Sequence, residues 1–396
     1  MTQARFSLNI PTLTKMLNQY LRRSFFSTLT TKNKLLADGI LQGNRTSLSR
    51  AITLVESQLA AHQTQAQLLI DEVLDQKRLR SRTRTTSSAS SSSKHNPQQT
   101  NAPYNNTPSL TSFRLGIAGP PGAGKSTFIE SLGLKLTKEG HRVAVIAIDP
   151  SSSRTGGSIL GDKTRMTYLS REPKAFVRPA ATWGTLGGLA QYTNDVVLLC
   201  EACGYDIVLV ETVGLGQSEV AVDDAVDMCM LLLPPATGDD LQGVKKGIME
   251  VADLVVINKA DGELATPARH AAASVRNALS IARPKSKHWK TQVMRCSALL
   301  DEGIEDVWDN VREYRHVMSN TYQDGDESKN ELVQKRARQS RQWMIRQFQA
   351  RVLRELKDDA KISSLGLELE SELIAGHLTP RAAAGKLLEE FRGNRM

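Results

Sequence analysis

Apolar and polar positions follow two different periods along this chain, and the switch between them divides it. Between residues 34 and 76 apolar side chains recur every three or four positions, first Leu48, Ile52, Val55 and Leu59, then Leu68, Leu69, Val73 and Leu74. That is the spacing of one helix face, and it predicts two or three amphipathic helices. From residue 113 the pattern changes to short continuous apolar runs at 113–118, 143–148, 206–211, 228–233, 254–258 and 292–297, with a helix over 127–138 between the first two. Uninterrupted apolar strands separated by helices imply an α/β fold with a mostly parallel sheet, covered by helices on both faces. Residues 327–357 return to helical spacing through Leu332, Ala337, Trp343, Ile345, Phe348, Val352 and Leu356, set among charges. A shorter helix follows, with Thr379 as its N-cap and Pro380 as its first residue.

Composition changes this picture at two places. Residues 81–112 are rich in Ser, Thr, Asn, Gln and Pro and include Ser90-Ser91-Ser92-Ser93. Such a stretch buries too little apolar surface to offset chain entropy, so 77–112 reads as a disordered insertion. Residues 1–37 carry six cations (Arg5, Lys15, Arg22, Arg23, Lys32, Lys34) and no acid. With Arg22-Arg23-Ser24-Phe25-Phe26-Ser27 resembling a matrix-processing site, they read as a transit peptide to the mitochondrial matrix.

The net charge of +9 suggests a nucleic-acid partner until it is located. Residues 77–112 hold six more cations and no acid, so 39 basic residues face 42 acidic ones in the rest of the chain. A body that close to neutrality argues against nucleic acid. No apolar run approaches the ~18 residues that span a bilayer, which argues against a membrane span. Of the four cysteines, Cys200 and Cys203 form a CxxC with no second pair and no nearby His, and read as small buried residues at a helix end.

The chemistry lies between residues 119 and 299. Gly119-Pro120-Pro121-Gly122-Ala123-Gly124-Lys125-Ser126 matches the phosphate-loop pattern between a strand and a helix, with Thr127 next. Glycines let backbone N–H groups turn inward around phosphates, Lys125 reaches the β- and γ-phosphates, and Ser126 offers a hydroxyl to magnesium. Asn258-Lys259-Ala260-Asp261 follows a later strand, where the Asp carboxylate can accept from both N1–H and the 2-amino group of guanine. Adenine has no such donor pair, so the motif selects GTP over ATP. Ser297-Ala298-Leu299, after the next strand, suits backbone contact with the guanine O6.

Glu211-Thr212-Val213-Gly214 closes a strand where such enzymes place a magnesium-side carboxylate and a γ-phosphate-sensing glycine. Glu is one methylene longer than the usual Asp, which favours contact through a metal-bound water. Asp149 ends the second strand and Asp162 follows a Ser/Gly-rich loop; each suits a metal-bound or attacking water, or simply a turn. The polar stretch 238–247, with Lys245, reads equally as a nucleotide-sensitive switch or as a connecting loop.

Asp149-Pro150-Ser151-Ser152-Ser153, Gly156-Gly157-Ser158-Ile159-Leu160-Gly161-Asp162, Glu211 to Glu219, and Gly238-Asp239-Asp240-Leu241-Gln242 together resemble the MeaB/ArgK-type GTPases. Leu48 to Ser57 and Gly376 to Ala383 also resemble that family. The resemblance implies a GTP-hydrolysing chaperone that gates adenosylcobalamin loading and protects methylmalonyl-CoA mutase. It implies Mg2+ held near Ser126, Asp149, Asp162 and Glu211, with Lys245 in a switch through which the mutase accelerates hydrolysis. It also implies a homodimer formed through the C-terminal arm. Neither the 77–112 insertion nor Trp183 follows the family pattern. A metal-insertion GTPase and a small-molecule kinase are the alternatives, disfavoured by the lack of a His/Cys cluster and by Asp261 respectively. The expected organisation is a transit peptide over 1–37, a helical segment over 38–76, the insertion over 77–112, the GTPase domain over 113–320 and a helical dimerisation arm over 321–396.

Overall fold

The structure, a computed structural model, describes residues 29–57, 59–88, 111–149, 166–181, 192–212, 222–235, 250–321 and 330–393. Asp162, Gly214, Lys245, Trp183 and the leader up to residue 28 lie outside them.

Seven strands form one sheet: β1 Phe113–Ala118, β2 Val143–Asp149, β3 Ala175–Ala181, β4 Ile207–Glu211, β5 Met228–Leu233, β6 Leu254–Ile257 and β7 Gln292–Arg295. Their order is β3-β2-β4-β1-β5-β6-β7 and every pairing is parallel. β1, β5 and β6 are buried along their whole length, as expected of strands covered on both faces. The expected strands are present. β3 was not anticipated, because Arg178 and Pro179 interrupt its apolar run; a proline is tolerated there because β3 is an edge strand.

Among the described residues three helices precede the sheet: α1 Thr31–Leu41, α2 Arg45–Val55 and α3 Ala60–Ser88. Thr30 caps the first, and the Asn44 side chain caps the second by accepting from Thr46 and Ser47 N–H. Leu48, Ile52, Val55, Leu69 and Val73 are buried as their spacing predicts. Leu59 is 63% exposed, since it lies in the link after α2 has ended at Val55 rather than on a helix face. The third helix runs to Ser88, so 77–88 of the expected insertion is helical. Arg80 donates to Leu41 O (2.9 Å) and Lys77 reaches Glu201 O (3.5 Å), tying this extension to the body. These helices pack on one another and on α6 (Thr193–Ala202), and α2 also holds β3 through the Arg178–Glu56 ion pair (2.5 Å).

Among the described residues the sheet-bearing part also contains α4 Lys125–Lys138, α5 Thr167–Arg171, α7 Ala265–Ile281 and α8 Ile304–Ser319. Phe128, Leu132 and Leu136 of α4 join Leu115, Leu209, Met230 and Trp308 in the main core. Arg114 at the start of β1 makes a buried, two-pronged ion pair with Glu201 on α6 (2.7 and 2.9 Å), and Ser112 donates to the same carboxylate.

The chain divides into two compact units after Gln334. The boundary lies beyond the expected 320 because α9 (Glu331–Asp358) begins inside the first unit. Leu332 sits in the main core, and the Asn330 side chain accepts from Leu332 and Val333 N–H. The second unit contains the rest of α9 with α10 Ala360–Ile374 and α11 Pro380–Gly393, and the last two pack together. Thr379 Oγ1 accepts from Ala382 N–H, the cap expected before Pro380. Among the described residues no helix is long and apolar enough to cross a membrane.

Candidate functional site

In a parallel sheet the strand ends that carry ligands are the carboxyl ends, and here the predicted motifs collect there. β1 leads into Gly119, whose φ is +152° and whose absent Cβ would stand 2.0 Å from Leu232 O on β5. No side chain fits that approach, so the loop must turn at a glycine. Gly124 (φ +87°) closes the loop as the N-cap of α4, and a Cβ there would meet Asn258 Nδ2 at 2.5 Å.

The first turn of α4 has no side-chain cap and no acidic residue. Its N–H groups and the positive end of its dipole are left for an anion, which is what a phosphate requires. Lys125 folds back to donate to Gly119 O (2.7 Å) and Pro120 O (3.1 Å), so its ammonium is held at the loop mouth. Pro121 and Gly122 are exposed at the crest of the loop, and Ala123 is buried beneath it.

Register puts Glu211 beside this loop. It pairs with Ile117 at the end of β1, and the following Thr212 N–H donates to Ile117 O (3.1 Å). Ser126 Oγ donates to Glu211 Oε1 at 3.1 Å. The longer side chain therefore reaches the hydroxyl directly. Asp149 ends β2, the strand next to β4, two residues past the Ala147–Glu211 pair.

The Asn-Lys-x-Asp segment is braced to the phosphate loop by one buried side chain. Asn258 Nδ2 donates to Ala123 O (2.9 Å), and its Oδ1 accepts from Ala298 N–H (3.0 Å). The phosphate loop and the segment after β7 thus share one amide, a role that the motif reading had not assigned. Lys259 adopts φ +60°, uncommon for a residue with a side chain and frequent at functional sites. Asp261 starts a short 3-10 turn (Gly262–Leu264), but its side chain does not cap that turn. Of the amides of Ser297, Ala298 and Leu299, the first is taken by Glu302 O and the second by Asn258. Leu299, 78% exposed, carries the third.

The cysteines behave as buried residues. All four are free and buried, and burial pushes the thiols of Cys203 and Cys296 up to about 11 and about 12, far from thiolate formation at neutral pH. Among the described residues no group of three or more His, Cys, Asp or Glu could hold a metal. A magnesium site built from one hydroxyl, one or two carboxylates and substrate phosphates needs no such cluster.

A parallel sheet with this phosphate loop, a carboxylate on the hydroxyl that follows its lysine, and a braced Asn-Lys-x-Asp defines a P-loop GTPase. Comparison with known proteins narrows the class: the chain belongs to the family described as methylmalonyl Co-A mutase-associated GTPase MeaB, whose model matches residues 85–361. It is 45% identical over 357 residues to the mitochondrial methylmalonic aciduria type A homolog of Mus musculus, covering 90% of this chain and 79% of that protein. It is 43% identical over 316 residues to GTPase ArgK of Escherichia coli, covering 80% and 83%. A solved structure described as LAO/AO transport system kinase superposes with a TM-score of 0.63 at 33% identity, covering 92% of this chain and 100% of that one.

Proposed function

We propose that this GTPase is a chaperone of methylmalonyl-CoA mutase, gating adenosylcobalamin loading and protecting the mutase through a GTP cycle in the mitochondrial matrix. The observation that carries the reading is the match to a mutase-associated family over 85–361, on a chain whose nucleotide motifs are complete. In support of location, the first 37 residues are basic and acid-free, and the mouse and Caenorhabditis elegans relatives carry mitochondrial names.

The α4 N-terminus, Lys125, Ser126 and Thr127 bind the phosphates, while Asp261 reads the base and Asn258 holds the two loops in register. The Leu299 amide is the donor available to the guanine O6. Ser126 Oγ and Glu211 Oε1 lie 3.1 Å apart beside the loop, so these two residues would hold Mg2+, which would supply charge neutralisation at the β- and γ-phosphates. Asp149 and Asp162 complete the carboxylate set around the attacking water, Gly214 senses the γ-phosphate, and Lys245 answers to the partner. The second unit exposes Met344, Phe348, Leu353, Leu367, Ile374 and Leu388, apolar surface suited to pairing with a second copy. A kinase reading leaves Asp261 without a role.

The test is GTP turnover alone and with methylmalonyl-CoA mutase. Partner-supplied charge stabilisation in related phosphoryl-transfer systems gives ~10³–10⁵-fold, and a large stimulation is expected here. Lys245→Ala should abolish stimulation while leaving basal turnover, and Lys246→Ala should be milder. A mutase that neither binds nor stimulates refutes the chaperone reading and leaves the GTPase intact.

A further inference from the structure

The turn after β7 is held at its root and again at its tip, and the second hold reaches α4, the helix that follows the phosphate loop. At the root, Ser297 N–H donates to Glu302 O (2.9 Å) and Glu302 N–H donates to Ser297 O (3.0 Å). Inside the turn Ser297 Oγ accepts from Leu300 N–H (3.2 Å), while Asn258 holds Ala298 N–H. The Leu299 N–H is thus left unclaimed, among the described residues, between two occupied neighbours. The turn ends at Gly303, the N-cap of α8, where φ is +71° and a Cβ would stand 2.8 Å from Arg295 O. These contacts fix where the turn leaves the sheet and where it enters α8. They leave the tilt of its outer limb, 299–301, to another restraint.

Asp301 supplies it. Its backbone is left-handed (φ +58°), a conformation that Asp adopts more readily than most residues but still at a cost. In that conformation its Oδ1 accepts from Ser131 Oγ on α4 at 2.5 Å. One helical turn further along α4, Lys135 bonds Glu305 in the first turn of α8. The two contacts clasp α4 to the tip of the turn and to the helix that follows it. Ser131 lies six residues past Lys125, which at the helical rise per residue is about 9 Å from the amino end of α4. Neither Ser131 nor Asp301 belongs to the phosphate loop, to Asn-Lys-x-Asp or to Ser297-Ala298-Leu299.

A nucleotide bound with its phosphates at the α4 N-terminus places its guanine O6 within a limited reach of that helix. An amide that donates to O6 must stand at a matching distance from α4, and a hydrogen bond weakens steeply outside its narrow range of length and angle. We propose, on the reading of the Leu299 N–H as the donor to O6, that the Ser131–Asp301 clasp sets this distance. Ser131 and Asp301 are then positioning residues for guanine recognition, acting through the backbone of 299–301. The Asn258 brace holds the turn at Ala298, and the clasp orients the limb beyond it.

The experiment compares the affinities of the full chain for GDP, inosine diphosphate and 6-thioguanosine diphosphate. Inosine keeps O6 and lacks the 2-amino group. The thio analogue keeps the N1–H and 2-amino group offered to Asp261 but presents sulfur, a weak acceptor, in place of O6. Wild type should bind GDP more tightly than the thio analogue. Asp301→Ala and Ser131→Ala should each weaken GDP and inosine diphosphate by about 3–10-fold, the contribution of one hydrogen bond, while the thio analogue changes by less than about 2-fold. The double variant should be no worse than either single one, since both remove the same bond. Asp301→Asn keeps an acceptor oxygen and tolerates the left-handed backbone, so GDP should bind it within about 2-fold of wild type. Variants that weaken all three nucleotides equally, or none of them, would overturn the clasp alone. A wild type that binds GDP and its thio analogue equally would overturn the Leu299 reading and the clasp with it.

Discussion

Replacing Asn258 by Ala isolates the brace between the phosphate loop and the base-binding loop. The substitution removes two hydrogen bonds, to Ala123 O at 2.9 Å and from Ala298 N–H at 3.0 Å. Each neutral bond contributes about 0.5–1.5 kcal/mol, and each buried group left without a partner costs about 1–3 kcal/mol. Ala123 and Ala298 are 0% and 7% exposed, so water satisfies them only in part, and a total near 2–3 kcal/mol is expected. If the loops contact both ends of the nucleotide as proposed, that energy should appear as lost affinity, about 30–150-fold. GTP and GDP should suffer alike, since neither contact involves the γ-phosphate. The assay is titration of fluorescent GDP and GTP analogues, paired with a melting curve of the nucleotide-free protein. Asn258→Asp provides the control: it keeps an acceptor for Ala298 but turns a carboxylate oxygen toward the Ala123 carbonyl, and should be at least as damaging. Affinities within twofold of wild type, with an unchanged melting temperature, would refute the brace.

Ser126→Ala should leave GDP binding largely in place while weakening GTP binding and turnover at limiting Mg2+, and higher Mg2+ should recover part of both. Glu201→Ala should destabilise the fold by about 3–5 kcal/mol, because it strands the buried Arg114 guanidinium, while the folded fraction keeps its nucleotide affinity. Chemical denaturation followed by nucleotide titration reads the two effects separately. Thiol reagents at neutral pH should label the native protein slowly and the unfolded protein fully, since all four cysteines are buried.

The G domain was legible because its signals are local. β1 and β5 begin and end where the apolar runs do, and the phosphate loop announces itself by residue type at fixed spacing. β3 escaped because an edge strand tolerates Arg178 and Pro179, which break the apolar period used to find strands. The helix through 77–88 escaped because low apolar content was read as disorder, whereas its hold comes from Lys77 and Arg80 reaching distant carbonyls. Asn258 was recognised as part of a motif, but its two partners lie 135 and 40 residues away in sequence, a distance that only the fold closes. The Ser131–Asp301 contact was invisible for the same reason, since its two residues stand 170 positions apart.

The central claim, that this site reads guanine, is tested most directly by the nucleotide preference of Asp261→Asn. Charge-assisted bonds contribute about 1.5–3 kcal/mol each, and the variant exchanges the acceptor pair for an amide that can donate to the 2-oxo group of xanthine. Competition of GTP, XTP and ATP for one fluorescent nucleotide should show wild type preferring GTP strongly. The variant should lose at least about 10-fold in GTP affinity and gain affinity for XTP. A variant that still binds GTP as tightly as wild type, with no gain for XTP, would contradict the account.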